Sequence, residues 1–280
     1  MSLKILSLRA ALVATAVSAA GAVPAVADVP VAADPTAQNV TAYAATAAWS
    51  RKASDGYRLV VAHGGAVADA PVPASSTPYD ADLGPTTANG RTIVYARGGD
   101  LYRYDIGAQA EQKLTALSSS ATETAPSFFK DRIVFSRSTG KRKGLYLLRP
   151  GRPLTRVFRT VAAETDIAET RIIGRFGKGS RSIIRILNMN ASQVRIVTRA
   201  KTGQRVSSPT LTRFNGIWLR IGATQSTVEQ VGVNGHRGLD VLTADRPLLG
   251  RVDSLASYKI PTLYTNRTAV QRIAPKLRMR

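Results

Sequence analysis

Cysteine is absent from the 280-residue chain, and with it go disulfides, thiol nucleophiles, zinc-thiolate sites and iron-sulfur clusters. Histidine is nearly absent too. The two present, His63 and His236, sit in the turn-like strings Ala62-His63-Gly64 and Gly235-His236-Arg237, and neither has a second histidine at ligand spacing. A lyase that gathers several metal-binding histidines in one channel is therefore disfavoured. No Gly-x-Ser-x-Gly elbow occurs; the nearest string, Gly177-Lys178-Gly179-Ser180, lacks the closing glycine and reads as a hairpin turn. The Ser-x-Asp-x-Gly-x-x-Trp box is missing, so Ser54-Asp55-Gly56 is a turn. Nothing in the chain implies a cofactor or a metal, and an enzyme is the less favoured class. Long amphipathic helical periods are missing as well: the one candidate, Ala108 to Leu117, lies between two strand-like runs and reads as a turn plus an outer strand.

Acidic residues are few, 18 against 39 Lys and Arg, and the imbalance is uneven along the chain. Residues 28–131 hold eight basic and eleven acidic side chains, a net of −3, whereas residues 132–280 hold 29 basic and seven acidic, a net of +22. A field of that size attracts polyanions and makes their binding salt-dependent. The bland alternative is that the charge only solubilises the surface.

The chain opens on an export pattern. Lys4 and Arg9 form a short positive region, Ala10 to Ala22 is an apolar run too short to cross a bilayer, and Ala25 and Ala27 flank a peptidase site before Asp28. Residues 1–27 are thus expected to be a signal peptide, residues 28–39 a flexible tether, and residues 40–280 the folded domain. No later apolar run reaches spanning length, so the mature chain is expected to be secreted or periplasmic, without a transmembrane segment.

From about Thr41 the texture is all-β: short β-branched or aromatic runs separated by Gly, Asn, Asp, Ser and Pro. Apolar triplets recur as Leu59-Val60-Val61, Ile93-Val94-Tyr95, Ile133-Val134-Phe135, Ile172-Ile173-Gly174 and Ile217-Trp218-Leu219, with a weaker sixth around Tyr258-Lys259-Ile260. The steps between them are 34, 40, 39, 45 and 41 residues, the size of a propeller blade. Asp55-Gly56, Asn89-Gly90, Lys130-Asp131 and Asn215-Gly216 supply tight turns before the triplets, and two further strand-like runs follow in most units. These features predict an all-β, six-bladed β-propeller with four antiparallel strands per blade. Blade one, with Gly64 to Pro73 rich in Ala and Pro, is expected to be the least regular. Trp49, Trp218, Phe128, Phe135 and Tyr95 are expected in the core between blades.

The string Ala125-Pro126-Ser127-Phe128-Phe129-Lys130-Asp131-Arg132-Ile133-Val134-Phe135-Ser136, followed by Gly144-Leu145-Tyr146-Leu147-Leu148 and Pro153-Leu154-Thr155, resembles a blade of the TolB-like propeller family. The similarity covers residues 40–275 in rhythm and is good in blades two, three and five; the Ser-Pro-Asp-Gly turn of that family is never complete. The resemblance implies a propeller, and mostly extracytoplasmic protein-binding scaffolds, with a minority of hydrolases and lyases.

Two carboxylate groups were candidates for acid-base chemistry: Asp80 with Asp82, and Glu164 with Asp166 and Glu169. Asp-x-Asp alone lacks the further oxygen ligands of a calcium loop, and turn capping is the favoured role. The basic candidates are Arg137, Lys141, Arg142 and Lys143 in one inter-strand loop, and Arg195, Arg199, Lys201 and Arg205 on an outer strand and its turn. Stacking aromatics are scarce beside them, which disfavours nucleic acid. The function expected is an exported, monomeric, non-enzymatic scaffold that binds a protein or an anionic envelope polymer; the alternative is a carbohydrate-active enzyme, lyase or glycosidase, with its site in the channel. Amino-terminal sequencing of exported protein is expected to begin at Asp28, and a chain still starting at Met1 would remove the signal-peptide reading.

Overall fold

The structure, a computed structural model, describes residues 29–190, 194–223, 226–232, 241–248, 252–257, 262–266 and 270–272, with side chains described between Val31 and Gly232. Strand β1 (Val29–Ala32) comes first. Five meanders of four consecutive antiparallel strands follow. They are β2 (Gln38–Tyr43), β3 (Thr46–Ala53), β4 (Gly56–His63) and β5 (Ala66–Asp69); β6 (Asp80–Pro85), β7 (Arg91–Arg97), β8 (Asp100–Asp105) and β9 (Ala110–Lys113); and β10 (Glu123–Phe129), β11 (Arg132–Arg137), β12 (Gly144–Leu148) and β13 (Thr155–Phe158). The last two are β14 (Glu164–Ala168), β15 (Arg171–Phe176), β16 (Ile183–Asn188) and β17 (Val194–Arg199), then β18 (Arg205–Leu211), β19 (Asn215–Ile221), β20 (Ser226–Gly232) and β21 (Val241–Leu248). The last strands among the described residues are β22 (Val252–Ser257), β23 (Thr262–Asn266) and β24 (Val270–Arg272).

The apolar triplets explain the stacking. A strand at the surface of a sandwich alternates polar and apolar residues, but one flanked by neighbouring blades on both faces buries every side chain. Ile93-Val94-Tyr95, Ile133-Val134-Phe135, Ile172-Ile173 and Ile217-Trp218-Leu219 are all buried, and each lies in the second strand of its blade. Trp49, Tyr95, Phe128, Phe135 and Trp218 are buried as expected. Blade one departs from the expected phase. Leu59-Val60-Val61 lies in β4, a third strand, so its Asp55-Gly56 turn joins the second and third strands, and the true counterpart of the other triplets is the Ala48-Trp49 stretch of β3. A small alanine-rich second strand hides this from a search for bulky triplets.

A six-bladed propeller was expected, and the structure corrects this to five blades. The remaining four-stranded sheet is composite, ordered β1-β24-β23-β22, with Val29 opposite Arg272. The weak sixth triplet, at residues 258–260, lies outside the described residues, and the runs at 262–265 and 269–273 supply a second and a third strand rather than a third and a fourth. Residues 28–39, expected as a free tether, instead contain β1 and the first residues of β2. They are docked there by the Trp49 indole N–H donating to Asp34 Oδ2 at 2.7 Å and by burial of Ala37.

Four antiparallel strands per blade give the disc two unlike faces. Turns between first and second and between third and fourth strands lie on one, the hairpin face. Turns between second and third strands share the other, the linker face, with the connections between blades. Two contacts fix this. Ser138 N–H donates to Thr122 O, tying the β11–β12 turn to the connection before β10, and Ala200 N–H donates to Ser182 O, tying the β15–β16 turn to the connection before β18.

The innermost strands approach closely around the axis, with Lys130 N–H donating to Pro85 O at 2.7 Å. At Gly84 a Cβ would stand 2.0 Å from the Phe128 carbonyl oxygen, a distance no side chain tolerates. Gly84→Ala is therefore expected to destabilise the protein by about 3 kcal/mol in urea unfolding, since neither strand can retreat without breaking its blade. A change below about 0.5 kcal/mol would mean the two strands are not held at that spacing.

Candidate functional site

Five first strands, β2, β6, β10, β14 and β18, line a cavity of about 130 Å³ on the axis. Its wall carries Asp80, Asp82, Glu164 and Asp166, together with Thr41, Thr165, Ser207, Ser208 and Thr210. The two carboxylate pairs, separate in sequence, are thus brought together. They do not cap turns. Each is a first-strand residue that reaches the next blade.

Backbone geometry dictates the reach. β2, β10 and β18 each contain a bulge, between Gln38 and Thr41, Thr124 and Ser127, and Ser207 and Thr210. Each bulge carries a residue in the left-handed region: Asn39 at φ 51°, Ala125 at 49° and Ser208 at 49°. A bulge turns amide N–H groups out of the ladder, so they need other acceptors. Ala125 N–H donates to Asp80 Oδ2 at 2.6 Å and Phe128 N–H to Asp82 Oδ2 at 2.8 Å. One blade pair further on, Ser208 N–H donates to Glu164 Oε2 and Leu211 N–H to Asp166 Oδ2, both at 2.5 Å. Hydroxyls complete the clamps: Thr41 donates to Asp82 Oδ1 at 2.9 Å, Thr210 to Asp166 Oδ2 at 2.9 Å and Ser207 to Glu164 Oε1 at 2.8 Å. The Arg175 guanidinium also holds Glu164 Oε1 at 2.8 Å.

Ser127 joins the two clamps. Its hydroxyl lies 2.9 Å from Asp82 Oδ2 and 3.2 Å from Asp166 Oδ1, and it has one proton to give. It therefore donates to one carboxylate at a time, while Asp166 Oδ1 also accepts from Ile167 N–H at 2.6 Å. Desolvation, the largest cause, pushes Asp80 and Asp82 up to about 6 against the stabilising pull of their N–H donors. Asp166 is raised well above the ordinary carboxylate range, first by burial and then by the Asp82 charge.

The basic residues singled out from sequence divide. Arg137 is not free: its Nε lies 3.2 Å from Glu123 Oε1, Nη2 donates to Leu117 O, and the guanidinium sits 4.6 Å from the Tyr146 ring centroid. Lys141, Arg142 and Lys143 are exposed in the β11–β12 turn; Arg195 and Arg199 are exposed on β17, and Lys201 and Arg205 beyond it. His63 is exposed, with Thr46 Oγ1 2.8 Å from its Nδ1. Glu169 lies in the β14–β15 turn beside Lys130. Ala25, Ala27, Asp28 and His236 lie outside the described residues, and among the described residues no helix is long and apolar enough to cross a membrane.

What sequence reading missed was the alternation. Asp80-Ala81-Asp82 and Glu164-Thr165-Asp166 lie 84 residues apart, while Ala125-Pro126-Ser127-Phe128 and Ser208-Pro209-Thr210-Leu211 lie 83 apart. Donor blades and acceptor blades thus repeat with a two-blade period.

Four-stranded antiparallel meanders packed by their first strands around an axial cavity define a β-propeller. No family of sequences matches the chain, and no curated protein matches it by sequence. Solved structures match in fold. The tricorn protease aligns at 14% identity and TM-score 0.58, over 86% of this chain and 25% of that one. TolB from Acinetobacter baumannii aligns at 15% and 0.55, over 82% and 64%. Oligogalacturonate lyase from Vibrio parahaemolyticus aligns at 7% and 0.52, over 87% and 78%. The chain spans a quarter of the tricorn protease and just under two thirds of TolB, and at these identities the likeness establishes the fold.

The raised carboxylates set a pH dependence with a definite sign. An acid whose folded pKa exceeds its unfolded value of 3.8 binds its proton more tightly when folded. Its contribution to stability is full below pH 3.8 and is lost as pH rises through about 6. The charged groups facing Asp80 are Glu164, Asp82 and Arg175, and Asp82 in turn faces Asp166; Asp100, lowered by its hydrogen bond from Lys113, titrates beneath the window. The urea midpoint is expected to fall between about pH 4.5 and 7.5, and Asp82→Asn to flatten that slope. A midpoint that rises over the interval would show that the hydrogen bonds outweigh desolvation.

Proposed function

We propose that this chain is an exported, non-enzymatic propeller scaffold that binds an anionic partner, a protein or an envelope polymer, through its basic outer surface. One observation carries the reading: the cavity carboxylates serve as acceptors between blades, whereas the surface cations stand uncommitted. In residues 51–130 five of eight basic side chains are ion-paired, namely Arg51, Arg58, Arg97, Lys113 and Lys130. Among the described residues no ion pair engages Lys141, Arg142, Lys143, Arg195, Arg199, Lys201 or Arg205, and all seven are exposed. Export fits the same picture, because cleavage before Asp28 leaves β1 whole.

A second reading, a carbohydrate-active enzyme, draws on the convergence of carboxylates on one cavity, with raised proton affinity at Asp80, Asp82 and Asp166. Incubation with acidic and neutral oligosaccharides separates the two: new reducing ends that disappear in Asp82→Asn would favour the enzyme.

For the scaffold, purified protein is expected to be retained on an immobilised polyanion and released by salt, because exposed charges are screened over about 10 Å at 0.1 M. Reversal of Lys141, Arg142 and Lys143 to Glu should bring elution to markedly lower salt, while Arg103→Glu, in the net-negative half, should leave it near wild type. Flow-through of the wild-type protein at low salt would defeat the proposal.

A further inference from the structure

We infer that the linker face over blades three and four is the docking surface, and that its occupant is a linear polyanion with a charge on each repeat. The inference rests on the scaffold reading and narrows it to one face and one chemistry. The alternating direction of the strands brings the β11–β12 turn, with Lys141, Arg142 and Lys143, to this face. The β15–β16 turn brings Lys178 and Arg181 to it, and the connections between blades bring Arg159 and Lys201. All are exposed.

Hydrogen bonds fix these segments side by side. The Ser136 hydroxyl donates to Ala162 O and Ala162 N–H donates back to it, at 2.8 and 3.0 Å, seating the connection that carries Arg159 against the end of β11. Ser182 O accepts from Ala200 N–H at 2.9 Å, and its hydroxyl accepts from Val206 N–H at 3.0 Å, seating the connection that carries Lys201 against the β15–β16 turn. Two clusters that are 60 residues apart in sequence, at Lys141 and Lys201, thereby become parts of one arc. Arg137, bound to Glu123, is excluded from it, and Lys178 and Arg181 are added.

The chemistry of the arc argues for a polymer over a folded protein. Protein interfaces are anchored by apolar and aromatic side chains. The exposed large apolar residues among those described are Val67, Val194, Ile196 and Phe214. Phe214 is in the β18–β19 turn and Val67 beside the β4–β5 turn, both on the hairpin face, while Val194 and Ile196 are on the outer strand β17. None joins the arc. What the arc presents is long cationic side chains on glycine-containing turns, Gly140 to Gly144 and Gly177 to Arg181, a surface suited to neutralising repeated charges one by one.

The test uses the folded chain with two charge-matched triple variants, both built at exposed positions. The arc variant is Lys141→Glu, Lys178→Glu, Lys201→Glu; the control, away from the arc, is Arg103→Glu, Arg152→Glu, Arg213→Glu. Binding of polyphosphate and of polygalacturonate is measured by titration over a salt series, with polyglutamate as the polypeptide arm and unfolding midpoints to confirm folding. The expected result is a loss of about 30-fold or more for the arc variant and about threefold or less for the control, with a shallower salt dependence in the arc variant alone. Preference for polyphosphate or for polygalacturonate tells which source of anion the face takes. Equal losses in both variants overturn the assignment to this face while leaving the scaffold reading intact, and tighter binding of polyglutamate than of either polymer overturns the choice of occupant. A wild-type protein that binds none of the three defeats the scaffold reading itself.

Discussion

The fold depends on one interaction: a carboxylate on the first strand of one blade accepting the backbone N–H groups that a bulge exposes on the next. Neither partner is stable alone. A bulge amide buried near the axis lacks a ladder acceptor, and a carboxylate so placed has lost most of its hydration. Asp80 with Ala125 N–H, and Glu164 with Ser208 N–H, satisfy each other. Because the two groups sit on different blades, satisfying them also sets the angle and the height at which the blades meet. Apolar triplets supply most of the burial, but burial is non-directional and would accept several registers between blades. The clamps select one.

This arrangement also sorts the charge of the molecule. A chain with 39 Lys and Arg and 18 Asp and Glu places four of those acids on the axis, where donors converge, and leaves the exposed cations of blades three to five outward. The axial carboxylates are held by fixed dipoles and hydroxyls rather than by Lys or Arg, Arg175 being the exception. The surface cations consequently retain their field for an external partner. The two functional readings thus trace to one distribution seen from outside and from the axis.

Much of the fold was legible in the sequence because burial on both faces leaves an unbroken apolar triplet, a signal that survives in four of the five consecutive-strand blades. Blade one was misphased because its second strand buries Ala47 and Ala48 where its neighbours bury larger residues. The composite sheet was missed because Val29–Ala32 is short and proline-containing, and a strand that pairs with a partner near the other end of the chain carries no local turn signal. At the site, Asp80-Ala81-Asp82 was visible as a pattern, yet its role was not, since the groups it bonds lie 45 and 46 residues further on and belong to the backbone. Composition marked the basic residues but could not separate Arg137, bound to buried Glu123, from exposed Lys141 four positions away.

The pairing of Val29 with Arg272 has a kinetic meaning. Each consecutive-strand blade is a local meander that can form as soon as its own residues are available, but the composite sheet joins strands from opposite ends of the chain. Contacts of such separation are slow to form, because the loop entropy is lost before the contact rewards it. During synthesis the sheet cannot be completed until β22, β23 and β24 have emerged, so the flanks of β2 and β18 against which β22 packs stay uncovered until then. Once closed, the same strand pair acts as a latch, and unzipping β1 separates the two ends of the ring. The rate of that single event, more than the summed packing of the blades, would govern how long the folded molecule persists.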